Sequence, residues 1–173
     1  MKIFFTSNLI VAGVLLAGCA TGKSGITLDT AGPVPAQPAA VSSTNGTLMV
    51  YSAYEVNADF NSRDPYRPEY SDYRIFNTNG KLLQRVHNNS GTILQDPVSV
   101  ELPPGKYRVF ARANGYGYVT VPAIIEPEQS TILHLEGDVS WPGVAGFNLT
   151  NAVRLPDGQV VGWRAPEKHS SRF

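Results

Sequence analysis

Residues 100–137, "VELPPGKYRVFARANGYGYVTVPAIIEPEQSTILHLEG", alternate apolar and polar side chains between short turn signals. Within them, "KYRVFARA" at 106–113 places one set of side chains on one face, Tyr107, Val109, Ala111 and Ala113, and the other set opposite, Lys106, Arg108, Phe110 and Arg112. A period of two residues is typical of a β-strand with one buried face. The Pro-Pro-Gly at 103–105 favours a turn, because proline lacks the backbone donor that a strand ladder needs. The segment therefore predicts consecutive strands that share a core.

Further segments of the same kind lie on both sides of this stretch. The strand candidates are residues 47–54, 72–77, 81–87 and a C-terminal hairpin at 153–163 around Asp157-Gly158. Asn79-Gly80 is predicted to be the central pair of a type I′ turn, in which both residues have positive φ. No stretch after residue 45 repeats apolar residues at helical spacing over three turns. Short strands with turns at about ten-residue intervals predict an all-β fold, a small antiparallel β-sandwich.

The order of strand, Pro-Gly turn, Tyr-containing strand and Gly-Tyr turn carries a family resemblance. The positions that fill it are Leu102, Pro104, Gly105, Tyr107, Val109, Ala113, Gly115, Tyr116 and Thr131. The segment that contains them, about a quarter of the chain, resembles the carboxypeptidase regulatory-like and transthyretin-like domains and the related PEGA-type repeats. The resemblance implies an immunoglobulin- or transthyretin-like sandwich in which these residues build the fold. Tyr107 is expected to act as a tyrosine corner, with its hydroxyl bonded to backbone at the turn.

The N-terminal residues have the order of a bacterial export signal. Lys2 supplies a positive charge, an apolar run of about ten residues follows at 9–18, and Cys19 ends it. That run is too short to span a bilayer but has the length of a signal-peptide core. The stretch "LAGC" at 16–19 resembles the lipobox of bacterial lipoproteins. The resemblance implies a diacylglyceryl group on the Cys19 sulfur and cleavage just before it. Because Ala20 rather than Asp follows, it also implies an outer-membrane destination in a Gram-negative host.

The composition divides the chain into three parts. Residues 1–18 are predicted to be the signal peptide, 19–45 the lipidated cysteine with a flexible linker, and 46–173 the sandwich with its C-terminal hairpin. Residues 20–45 are rich in Ala, Pro, Gly, Ser and Thr and have no periodic apolar face, which predicts a disordered tether. Fourteen basic and fourteen acidic residues balance without a basic tract. Nucleic acid and electrostatic adhesion to anionic lipid are therefore not expected.

Residues 55–72, "EVNADFNSRDPYRPEYSD", form a long connection that mixes aromatic with charged side chains. Long connections in compact domains are usually functional or disordered. The candidate binding residues are Phe60, Arg63, Tyr66, Arg67 and Tyr70. Such residues suit a docking surface for a protein or a platform for a glycan. A loop whose aromatic residues plug a sheet edge is an equal alternative. Calcium binding by Asp59, Asp64 and Glu69 is a weaker one, because their spacing fits no EF-hand.

No catalytic or metal-binding pattern stands out in the sequence. The histidines, which match no zinc spacing, are His87, His134 and His169. Trp141 and Trp163 are expected to pack in the core or on a hairpin. We therefore expect a non-enzymatic envelope lipoprotein, without metal or cofactor, whose sandwich mediates protein interaction or assembly. A carbohydrate- or peptidoglycan-binding module is the alternative. A small hydrolase that uses a carboxylate pair such as Asp64 and Glu69 is the least favoured.

Overall fold

The computed structural model describes residues 25–35, 44–56, 68–88, 96–137 and 149–166. Within these ranges the chain forms thirteen β-strands and one short 3-10 turn at Leu149–Asn151. The strands are β1 (Ile26–Thr27), β2 (Ala31–Gly32), β3 (Gly46–Tyr51), β4 (Tyr54–Val56), β5 (Pro68–Tyr70), β6 (Tyr73–Asn77), β7 (Leu82–Val86), β8 (Ser99–Leu102), β9 (Gly105–Ala113), β10 (Gly117–Ile125), β11 (Ser130–His134), β12 (Ala152–Arg154) and β13 (Val160–Arg164). No helix in the described ranges is long and apolar enough to cross a membrane.

The strands form two main sheets that pack as a sandwich. The large sheet has the order β12-β13-β2-β10-β9-β6-β7, and β1 also pairs with β10. The small sheet has the order β11-β3-β8, and β4 pairs with β5 in a separate two-stranded sheet. Buried residues of the large and small sheets join in one hydrophobic cluster. The prediction of an all-β sandwich is confirmed.

The sandwich is not antiparallel throughout, because three of its strand pairs run parallel. β1 and β2 follow one another along the same edge of β10, where Ile26 aligns with Val119 and Ala31 with Ala123. β11 runs parallel to β3 in the small sheet. Alternation along a strand indicates which face is buried but says nothing of the direction of its neighbours. The parallel pairs therefore could not be seen in the sequence.

Residues 25–35 belong to the sandwich, which corrects the predicted linker at 19–45. Leu28 and Val34 are buried, and Ala31 is 0% exposed in the strand between β10 and β13. The backbone amide of Val34 donates to the carbonyl oxygen of Ser130 at 2.9 Å. Strands of only two residues offer too few positions to show a period, so their composition resembles that of a tether. The described domain begins at residue 25 rather than 46.

The core lies between the inner faces of the large and small sheets. On the large sheet, Val109 and Val121 are buried, and Leu48 and Leu133 of the small sheet are buried as well. Full burial of a Val or Leu side chain stabilises the fold by about 1.5–3 kcal/mol. Trp163 is 1% exposed, which confirms that it packs in the core. Trp141 lies outside the described residues.

The hairpin between β6 and β7 exists, but its turn differs from the predicted type I′. The amide of Gly80 donates to the carbonyl of Asn77 at 3.1 Å, and only Gly80 has a positive φ, of +81°. This is a type I turn followed by a glycine bulge, which leaves Asn79 with an ordinary negative φ. The predicted hairpin at Asp157-Gly158 uses the same arrangement, with a φ of +92° at Gly158. An Asn-Gly pair fits both turn types, so the pair alone does not separate them.

The turn between β8 and β9 is fastened by Tyr107, as the sequence predicts. Its hydroxyl donates to the carbonyl oxygen of Pro103 at 2.7 Å, across the Pro-Gly turn of residues 103–105. Pro104 lies within that turn, and Gly105 is the first residue of β9. Gly115 has a φ of +78° in the next turn, and Tyr116 packs against the core. This hydrogen bond holds the entry to β9, the strand that contributes most to the surface described below.

Candidate functional site

The predicted binding loop does not present Tyr70 to solvent. β4 and β5 pair near its two ends, with Tyr54 opposite Tyr70. Tyr70 is only 5% exposed, so the prediction of an exposed binding residue is wrong at this position. The other residues of the loop hypotheses lie outside the described ranges, namely Asp59, Phe60, Arg63, Asp64, Tyr66 and Arg67. The loop therefore supplies no described binding surface.

Tyr70 instead belongs to a cluster of packed rings. Its ring stacks on Tyr54 at a centroid distance of 5.0 Å and meets the ring of Tyr51 edge-on at 5.6 Å. Tyr51 in turn stacks on His134 at 4.2 Å. Burial raises the pKa of both Tyr51 and Tyr70 above the ordinary tyrosine value. Tyr70 is thus a packing residue, as in the alternative in which the aromatic residues of the loop cover a sheet edge.

Two histidines are held by carboxylates. Nδ1 of His134 lies 2.8 Å from Oε1 of Glu136, which is buried, and Nδ1 of His87 lies 2.9 Å from Oδ1 of Asp72 at the surface. Glu69, from the calcium and hydrolase hypotheses, lies on β5. In the part of the chain that the structure describes, no three His, Cys, Asp or Glu side chains gather as a metal site would require.

The outer face of the large sheet carries a cluster of basic side chains, the feature best suited to recognition. β6, β7 and β9 are neighbours, and each turns alternate residues outward. The register sets Arg74 between Arg85 on one side and Phe110 on the other. We call this surface the cationic face; its exposed basic residues are Arg74, Arg85, Lys106, Arg108 and Arg112.

Most of these charges lack an acidic partner among the residues that the structure describes. Nη1 of Arg112 lies 2.8 Å from Oε1 of Glu55. The other four basic residues form no ion pair with any described residue. Arg74 and Arg85 are directly opposite across β6 and β7, and like charges in such a pair are destabilising. The cationic face therefore offers positive charges that no described acidic side chain neutralises. These charges are available to bind an anion.

The cationic face divides into two halves along β9. The open half comprises Arg74, Arg85, Phe110, Arg112 and Tyr118. The rings of Phe110 and Tyr118 stack in parallel, with centroids 4.9 Å apart and an angle of 2° between their planes. Tyr118 is 53% exposed, one of two large apolar side chains so exposed in the described ranges. This half thus combines guanidinium groups with an accessible aromatic ring.

The groove half comprises Lys106, Arg108, Pro122 and Ile124, at the end where β9 begins and β10 ends. These side chains line a groove of about 1180 Å³. Its far wall includes Asp29 and Arg164, whose Oδ2 and Nη2 atoms lie 2.6 Å apart. Pro104, Pro127 and Pro166 also line it. The groove therefore combines apolar walls with charges of both signs.

The sequence predicted the outward-facing side chains of β9 at this site but not the strands beside them. Its alternation correctly placed Lys106, Arg108 and Phe110 on one face of β9, together with Arg112. The neighbours of that strand were missing, because the alignment of Arg74 with Phe110 joins distant parts of the chain. A count of charges along the chain cannot find a cluster that forms only when strands pair.

Comparisons with known proteins provide no relative from which to transfer a function. No model of a known protein family, no curated protein and no solved structure matches this chain. The cationic face and the N-terminal sequence are therefore the features from which a function can be inferred.

Proposed function

We propose that this protein is a lipid-anchored component of the bacterial envelope that acts by binding a protein partner in the groove half. It belongs to the outer membrane if the host is Gram-negative. The observation that carries the proposal is the groove itself, with its proline and isoleucine walls beside the unpaired charges of Lys106 and Arg108. In this proposal the sandwich is not catalytic and needs no cofactor. Kinship with carboxypeptidase regulatory-like and transthyretin-like domains is part of it, supported by the hydrogen bond of Tyr107.

The lining of the groove favours a polypeptide over a sugar. A glycan site typically offers exposed aromatic rings on which sugar rings stack, and the one aromatic residue among the described lining residues is Tyr107. Its hydroxyl is already engaged by Pro103. Apolar walls flanked by Lys106, Arg108 and Glu126 suit an extended protein segment with an apolar side chain and mixed charges.

The anchor is supported by the N-terminal sequence. The "LAGC" stretch ends at Cys19, and the described domain begins at residue 25. A chain extends by at most about 3.3–3.6 Å per residue, so six residues separate the domain from the lipid by no more than about 22 Å. The domain would therefore work close to the membrane and meet partners at its surface.

A carbohydrate- or peptidoglycan-binding module is the second candidate. The parallel rings of Phe110 and Tyr118, with Tyr118 half exposed, favour it, because aromatic faces pack against sugar rings. These rings lie in the open half rather than in the groove. Sedimentation with purified peptidoglycan separates the candidates: a glycan site loses binding in Tyr118→Ala, whereas a groove site gives no sedimentation at all.

Partner capture with paired variants tests the groove. The mature lipidated protein is cross-linked in native envelopes, and recovered proteins are compared between wild type and Lys106→Glu/Arg108→Glu. We expect recovery of a specific partner to fall at least about tenfold, because like charges are brought together across the interface. The matched control is Lys81→Glu/Arg154→Glu, with the same change of charge at exposed residues outside the cationic face. Equal recovery from all three proteins would remove the groove from the proposal.

Mass spectrometry of the mature N-terminus tests the anchor separately. We expect a chain that begins at Cys19 and carries a diacylglyceryl group, and Cys19→Ser should remove both the mass of the lipid and the membrane association. A free thiol at Cys19, or cleavage at another residue, would show that the lipobox resemblance misleads.

A further inference from the structure

We propose that the open half of the cationic face lies against the anionic lipid headgroups of the membrane that carries the anchor. This inference rests on the proposed lipid anchor at Cys19, and it names a second contact besides the protein partner. It differs from the expectation drawn from the overall charge balance, because the basic residues meet only in the folded sheet. The contact would fix the orientation of the sandwich on the membrane.

The charges of the open half suit phosphate groups. Arg74 and Arg85 are exposed, directly opposite each other, and without an ion pair among the described residues. Arg112 adds a third guanidinium, bound to Glu55. Guanidinium groups donate paired hydrogen bonds to phosphate, and an intervening anion relieves the repulsion between two arginines that face each other. A layer of phospholipid headgroups supplies such anions over the whole width of the face.

The path of the N-terminal chain brings the anchor to this half. β1 pairs with β10 so that Ile26 aligns with Val119, the residue after Tyr118. Ile26 packs against the core, so Thr27, opposite Thr120, shares the outward side of the sheet with the open half. The chain therefore enters the domain beside the exposed ring of Tyr118. A tether of at most about 22 Å from Cys19 ends there and keeps this half close to the lipid.

Little additional attraction is needed, because the anchor already supplies attachment. A tethered domain meets its own membrane at a high effective concentration, so the face has only to select one orientation. Each arginine near an anionic surface contributes enough that two together shift the ratio of docked to undocked domain by about 30-fold. The half-exposed ring of Tyr118 suits the headgroup layer, where tyrosine is enriched in membrane proteins.

The experiment measures the reactivity of one introduced thiol. The mature lipidated protein with Thr27→Cys is placed in vesicles of phosphatidylcholine, with or without phosphatidylglycerol, and the rate of modification by a large neutral maleimide is followed. Cys19 does not interfere, because its sulfur carries the diacylglyceryl group as a thioether in the proposed mature protein. The control position is Glu101→Cys, exposed on β8 of the small sheet. We expect phosphatidylglycerol to slow the reaction at residue 27 and to leave residue 101 unchanged.

Charge variants identify the contact. Arg74→Gln/Arg85→Gln should lower the ratio of protected to reactive Thr27→Cys about 30-fold in the anionic vesicles, and high salt should do the same. A variant with the same loss of charge elsewhere, Lys81→Gln/Arg154→Gln, should keep the protection. Equal rates in neutral and anionic vesicles would overturn the inference. So would protection that is lost in Lys106→Gln/Arg108→Gln and kept in the Arg74 and Arg85 variant.

The two proposals fail in different ways in this experiment. If the protein does not float with neutral vesicles, the anchor itself is absent and the docking inference falls with it. If the protein floats but residue 27 reacts equally in both kinds of vesicle, the anchor stands and the docking inference alone is overturned. Loss of the docking inference alone leaves partner capture through the groove as a separate test of the proposed function.

Discussion

The two halves of the cationic face share strands β9 and β10 yet offer different chemistry. In the groove half, Lys106 and Arg108 stand beside proline and isoleucine side chains and opposite an ion pair. In the open half, Arg74 and Arg85 face each other beside an exposed ring, with no wall in the described ranges. Alternation along a strand decides which side chains point outward. What surrounds them decides whether the result is a groove for a segment of chain or a surface for a layer of anions.

The difference comes from the ends of the described domain. The far wall of the groove is formed by residues between β1 and β2 and by the end of β13 with the residues that follow it, and the amide of Ala165 donates to the carbonyl of Thr30 at 3.1 Å. The ion pair between Asp29 and Arg164 joins the same two segments. Residues 25–35, whose composition resembles a tether, therefore form part of the wall of the groove half. β1, the first strand of this segment, lies beside the open half.

The largest expected effect on stability comes from introducing an aspartate at one of two positions in residues 25–35. Ala31 is 0% exposed beside the groove half, whereas Thr27 is exposed at the edge of the open half. Ala31→Asp should lower the free energy of unfolding by about 3 kcal/mol or more, because an unpaired carboxylate is buried. Thr27→Asp should change it by no more than about 0.5 kcal/mol. Chemical denaturation of both mature variants measures the difference.

The paired design removes the effect of charge itself, since both variants add one carboxylate to the same short segment. Equal stabilities would mean that residues 25–35 do not pack in the sheet. The groove would then lose its far wall, and the contrast between the two halves would disappear.

The sequence predicted the sandwich and the two faces of β9, because a period of two residues is local information. It did not predict that Ala31 lies in the sheet, since a two-residue strand beside β10 has no period to detect. It predicted Tyr70 as exposed because tyrosine serves equally in recognition and in packing, and only its neighbours decide. Arg74 and Arg85 were visible as residues, but the sequence did not show that their strands, β6 and β7, follow β9 in the sheet, because strand order is a property of the whole fold.

A smaller effect is expected from one substitution made in both halves. Tyr107→Phe removes the hydroxyl that donates to Pro103 at the turn beside the groove and should lower the free energy of unfolding by about 1 kcal/mol. Tyr118→Phe, in the open half, removes a hydroxyl with no hydrogen bond among the described residues and should leave stability unchanged. Thermal unfolding of the two variants provides the comparison. A loss of stability in Tyr118→Phe equal to that in Tyr107→Phe would contradict the tyrosine corner.

The smallest expected effect on the free energy of unfolding comes from removing single arginines. Its sign is expected to differ between the two halves. Arg74→Gln removes one of two facing like charges, so it should raise the free energy of unfolding by about 0.2–1 kcal/mol at low salt. Arg164→Gln breaks the exposed ion pair with Asp29 and should lower it by up to about 1 kcal/mol.

Both effects should vanish at high salt, because the Debye length falls to about 3 Å at 1 M and screens exposed charges. The measurement is chemical denaturation of the wild type and both variants at low and at high salt. Since both variants lose one arginine, a general effect of net charge would move their stabilities in the same direction. Opposite signs at low salt that converge at high salt are expected only if the pair of Asp29 and Arg164 in the groove wall is satisfied within the fold and the facing arginines of the open half are left for an anion outside it. A loss of stability in Arg74→Gln would mean that the open half is also held by internal contacts, and its availability to lipid would then lose its physical basis.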